Sequence, residues 1–100
     1  MLNKWGFIYV APGASPDGDR TVVEHGDLTS TLVAVPEHEA AVRIAPELVD
    51  EGAQLLELCG IFGPTWTAKV VEAVGGRVPV GSVAFGVESV PRLAEAVAGE

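Results

Sequence analysis

Hydrophobic positions along the chain fall into blocks whose spacing alternates between strand-like and helix-like periods. Trp5 to Ala11 is a continuous apolar run, rich in aromatic and β-branched residues and closed by Pro12-Gly13, and predicts a buried strand. Ser15-Pro16-Asp17 follows, with a cap residue, a proline suited to a first helical turn and an acid for the positive helix end. A short helix from Pro16 to His25 is predicted there, weakened by Gly18. Gly26-Asp27 breaks the chain, and Leu28 to Val35 reads as a second strand, alternating at first and then continuously apolar. Pro36-Glu37-His38-Glu39 opens the next helix with acids near its N-terminus. Ala41, Ile44, Ala45, Leu48 and Gly52 lie on one stripe of it, facing a sheet. Pro46 falls inside that helix, where it removes a bond to Val42 and is expected to kink or split it.

Ala53 to Leu58 is the third predicted strand. Gly63-Pro64-Thr65 starts a helix whose stripe is Thr67, Val70, Val71 and Val74, and Gly75-Gly76 ends it. Val78 to Phe85 is the fourth strand. Ser89 caps a last helix carrying Val90, Leu93, Ala94 and Val97, closed by Gly99. Strand and helix thus alternate through about four βα units. This predicts a single small α/β domain over residues 1–100, with a mostly parallel four-stranded sheet, right-handed crossovers and flanking helices.

Composition narrows the partners. At 100 residues the chain has room for one core, yet 48% of its residues are hydrophobic. Apolar surface left over from one core predicts self-association into a homodimer or larger homo-oligomer. Fourteen acids against six bases give a net charge of -8, with no basic stripe, so neither nucleic acid nor an anionic membrane surface is an expected partner. No segment approaches the roughly 20 apolar residues of a membrane span. Lys4 and the run after it mimic a signal peptide, but strand formers and the immediate Pro12-Gly13 favour a first strand. A lone Cys59 excludes an internal disulfide and fits a cytoplasmic protein.

In parallel sheets, ligands bind beyond the C-terminal strand ends. Those ends put Glu37, His38, Glu57, Cys59, Thr65, Glu88 and Ser89 forward as polar candidates. Two glycines in Gly60-Ile61-Phe62-Gly63, just before a helix, either free backbone N–H groups to hold an anion or merely satisfy a tight turn. Neither a phosphate-binding loop nor a dinucleotide fingerprint is present, and no cofactor is expected. Glu57, in an apolar strand, either faces a cavity as a general acid or base or pairs with a cation such as Lys69 or Arg77. Cys59 would need a base to act as a nucleophile, and His38 is the one on offer; the alternative is a small buried hydrophobe. With no paired His or Cys at metal-ligand spacing, no metal site is expected. Trp5, Phe7, Tyr9, Phe62 and Phe85 suit either an apolar pocket or core and interface packing, and Trp66, on a first helical turn, suits a pocket lid or an interface anchor.

Two resemblances carry these residues further. The run from Glu51 to Gly60, with Gly63-Pro64, Thr67-Ala68 and Val78-Pro79-Val80-Gly81, looks like βα units of TIM-barrel enzymes. Phe7-Ile8-Tyr9 with Ala11-Pro12-Gly13, Leu56 to Gly60 with Phe62-Gly63, and Phe85 to Val90 together resemble a family of small bacterial proteins, about 100 residues long, with no assigned function. That resemblance implies a self-contained fold and no particular activity.

Three functional readings follow. The first is an oligomeric α/β protein binding a small, possibly anionic metabolite, with the ligand held by Gly60, Phe62, Gly63, Thr65, Trp66, Glu88 and Ser89. The second is a lyase or isomerase in which Glu57 moves a proton, with Cys59 and His38 as further catalytic candidates. The third is a structural or interaction module anchored by Trp66.

Overall fold

A computed structural model describes residues 1–98, so Gly99, expected to close the last helix, lies outside the described residues. The chain forms β1 (Lys4–Val10), β2 (Asp19–His25), β3 (Leu28–Val35), α1 (His38–Asp50), β4 (Leu56–Leu58), α2 (Gly63–Val74), β5 (Val80–Ser82) and α3 (Val90–Ala98). Single 3₁₀ turns over Gly60–Phe62 and Val87–Ser89 lead into α2 and α3. The sheet has five strands in the order β2-β3-β1-β4-β5, parallel except for the antiparallel pair β2–β3.

The largest departure from the sequence reading is β2, which occupies the stretch expected to be a helix from Pro16 to His25. The groups expected to cap that helix instead close a turn. The Ser15 hydroxyl accepts from the Asp17 N–H, the Ser15 carbonyl accepts from the Gly18 N–H, and the Asp19 carboxylate accepts from the Ser15 N–H. Caps and turns use the same side-chain-to-backbone bonds, so Ser-Pro-Asp signals either. Beyond it, Thr21-Val22-Val23 favours a strand, and the two-residue Gly26-Asp27 connection folds it back on β3, with His25 opposite Leu28. Gly26 supplies the positive φ (57°) that such a hairpin turn needs. The sheet therefore has five strands rather than four, and β4 and β5 are three residues each, shorter than the predicted Ala53–Leu58 and Val78–Phe85.

One face of the sheet carries the core. Ile8 of β1, Val33 and Val35 of β3, and Leu56 and Leu58 of β4 pack there against Ala41, Ile44, Ala45 and Leu48 of α1 and Val70 and Val74 of α2. The stripe predicted for α1 is thus largely the buried one, whereas in α2 only Val70 and Val74 are buried, Thr67 is half-buried and Val71 faces solvent, 44% exposed. Arg20 ties β2 to α1 through Glu47 and Glu51, and Arg77 ties the end of α2 to Asp50. These ion pairs are exposed and contribute about 1 kcal/mol each at most.

Pro46 does not split α1, which runs unbroken from His38 to Asp50. Its neighbours Ile44, Ala45 and Leu48 are buried, and that apolar contact outweighs one missing backbone bond. The bond to Val42 is lost all the same. Replacing Pro46 with Ala is expected to stabilise the fold by about 2 kcal/mol, roughly 3 for the interior proline less about 1 for the freer unfolded chain. Urea unfolding of both proteins measures the difference.

Candidate functional site

The parallel strands β3, β4 and β5 all deliver their chain ends to one edge of the sheet, and α1 and α2 begin there. His38, the first residue of α1, is held between them. Its Nε2 lies 3.1 Å from the Ile61 carbonyl oxygen, so this nitrogen donates, because a carbonyl only accepts. The imidazole meets the Phe62 ring edge-on at 5.3 Å and stacks on Trp66 at 5.4 Å, with planes 14° apart. The Lys69 ammonium sits 4.1 Å from the centre of a Trp66 ring, a cation–π contact. This cluster clamps the N-terminus of α1 to that of α2.

Beside it, a cleft of about 330 Å³ opens between Gly60, Gly63 and Pro64 on one wall and Ser82 to Phe85 on the other. It lies within the size range of small-ligand pockets, roughly 300–1,000 Å³, at the lower end. None of these seven wall residues carries a charge. Gly60 is small for a packing reason. A Cβ there would lie 2.7 Å from Phe85 Cε2 and 3.3 Å from the Val83 carbonyl oxygen, so the aromatic ring closes directly over its backbone. Gly63 serves a conformational one: its φ of 64° ends the 3₁₀ turn and redirects the chain into α2. With Pro64 next, α2 starts abruptly at the rim of the cleft, and its first N–H groups lack intrahelical partners.

Of the residues singled out in the sequence, Gly60 and Gly63 form cleft wall. Phe62 is 2% exposed and belongs to the core, and Thr65 is exposed on the first turn of α2. Trp66 is half-buried in the clamp with His38. Cys59 is half-buried against the core edge, with its N–H donated to the Ile8 carbonyl. Glu57 is exposed on the opposite face of the sheet, beside Phe7 and Gly81, so the sheet stands between it and His38. Neither cation weighed as its partner pairs with it, since Lys69 lies over Trp66 and Arg77 bonds Asp50. Glu88 folds against Gly86, and the half-buried Ser89 donates its N–H to the Gly86 carbonyl; both belong to the turn before α3.

Ser82, Val83 and Ala84 were not singled out, although they form most of the second wall. The reason is a strand boundary. Reading β5 to Phe85 moved its C-terminal end three residues downstream, onto Glu88 and Ser89, whereas pairing ends at Ser82. The mixed small and apolar run from Gly81 to Gly86 was the available signal, since it lacks sustained alternation.

Two substitutions test this geometry. His38→Ala removes one hydrogen bond and two aromatic contacts and is expected to lower unfolding free energy by about 1–2 kcal/mol, measured in urea. Gly60→Ala forces Phe85 from its seat, with an expected loss of about 1–3 kcal/mol and shifted Phe85 ring resonances in NMR spectra.

Comparison with known proteins returns no match among curated proteins. A family model does match, and it covers residues 3–98, from the start of the first strand through the last helix. The chain therefore belongs to a family of unknown function, DUF6506.

Proposed function

We propose that this protein binds a small, largely apolar molecule with one anionic end, such as a carboxylate, in the cleft between Gly60–Pro64 and Ser82–Phe85. One observation carries this reading: an uncharged, mainly apolar cleft opens at the point where α2 begins. The apolar walls and the Phe85 ring suit the body of the ligand. The first-turn N–H groups of α2, which have no intrahelical acceptor, and its positive end suit the anionic group, which the protein's net charge of -8 would otherwise repel. The half-buried, unpaired Cys59 fits a reducing, cytoplasmic setting.

The test is an NMR titration with a panel of aromatic and medium-chain carboxylates, each paired with its uncharged amide. Carboxylates are expected to shift the amide signals of Gly60, Gly63 and Val83 to Phe85, and the amides to bind at least tenfold more weakly. Val83→Trp fills the cleft and is expected to abolish those shifts while the rest of the spectrum is retained. Shifts centred elsewhere, or unaffected by Val83→Trp, would refute the site.

A further inference from the structure

The two faces of the sheet are treated unequally, and the reason is topological. Right-handed crossovers from β3 to β4 and from β4 to β5 travel the same way along the sheet, so α1 and α2 lie on one face. A helix joining β1 to β3 would have covered the other face. In this chain that connection is the edge strand β2, which stays in the plane of the sheet.

The second face is consequently apolar and only partly covered. Successive odd residues of β1 lie on it, with their neighbours in register on β3: Trp5 beside Ser30, Phe7 beside Leu32, Tyr9 beside Ala34. Phe7 and Tyr9 stack at 6.1 Å, and the Trp5 indole donates to the Ser30 hydroxyl at 2.7 Å, so the polar groups of Trp5 and Ser30 are already satisfied. Charges sit at its margins, Asp19 on β2 and Glu57 on β4. An apolar centre with a charged rim is the anatomy of a protein interface.

The same chain carries a matching, unpartnered helix. Val90, Leu93, Ala94 and Val97 form one stripe of α3, with Arg92 and Glu95 on the opposite side. None of its residues is buried, and its one substantial neighbour is the turn that precedes it. In the turn leading to it, Val87 is also apolar and open, exposed by 84%. The radius of gyration, 14.0 Å, exceeds the roughly 13 Å of a closely packed 100-residue chain, as a projecting arm requires.

We propose that the arm from Val87 to Ala98 docks its α3 stripe on the Trp5–Phe7–Tyr9 face of a second copy, and that the exchange is reciprocal, giving a two-fold dimer. The dimensions agree. A helix about 10 Å wide spans two strands about 4.8 Å apart, here β1 and β3, and nine residues of helix extend about 13.5 Å, within the roughly 23 Å of a seven-residue strand. A second copy is the occupant because one chain supplies both complementary halves, and a two-fold axis satisfies both at once.

The experiment reads mass, not ligand, so its outcome is independent of the binding proposal. In sedimentation equilibrium the full chain is expected at twice its 10.4 kDa mass. The arm variant Leu93→Glu/Val97→Glu and the face variant Phe7→Lys are each expected at the monomer mass with unchanged far-UV circular dichroism. Should Phe7→Lys unfold, Tyr9→Lys replaces it at the more exposed ring. Mixing arm and face variants leaves one intact arm and one intact face per pair, and is expected to restore a dimer. A monomeric wild type would overturn the proposal, whether the face is then open or covered by the chain's own arm. So would a dimer that survives either variant, or two monomeric variants that stay apart when mixed.

Discussion

The architecture depends on one constraint, the central position of β1 between two parallel neighbours. Its register with β3 runs the full strand, Lys4 against Thr29 through Val10 against Val35, and β4 pairs with Gly6 to Ile8 on the other side. A parallel neighbour cannot be reached by a tight hairpin. The chain reaches β3 by passing through β2 at the sheet edge, and it reaches β4 by the α1 crossover. Because no helix is spent on the first connection, the core forms on one face. Ile8, Val33, Leu56 and Leu58 are fully buried there, while Phe7 and Tyr9, next along the same strand, keep part of their surface in water.

That one-sided core also places the site. Both helices that cover it start at the same edge of the sheet, so their N-termini meet, and His38 is the residue that joins them. The contacts around it are structural in kind: a hydrogen bond to the Ile61 carbonyl, an edge contact with Phe62 and a stack on Trp66. His38 and Trp66 pack on each other, and the open cleft lies one step along, where Phe85 closes over Gly60. Gly60 marks where the two segments approach each other, and the cleft is what remains between them.

Much of this was legible from residue patterns. The apolar run of β1 and the stripes of α1 and α2 follow from burial on a strand or on one side of a helix, and Gly75, with φ 65°, ends α2 as the Gly-Gly pair implied. Three features were not legible, each for a physical reason. Ser15-Pro16-Asp17 offers the same hydrogen bonds to a turn as to a helix cap, and nothing local distinguishes them. Pro46 marked a break in α1 that the buried residues around it overcame. Glu57 interrupts an apolar strand, and alternation alone could not say whether its side of the sheet would be covered.

The sequence by itself determined the class of fold, the strands and helices that carry the core, and the glycine-rich joint between β4 and α2. Those depend on period and local backbone preference, which act over a few residues. Only the tertiary structure decided that residues 19–25 join the sheet as an edge strand, that β5 ends at Ser82, and that Glu57 and His38 lie on opposite sides of the sheet. Each of these depends on which segments become neighbours in space. That choice follows from burying one continuous apolar face, and it is made by residues far apart in the chain.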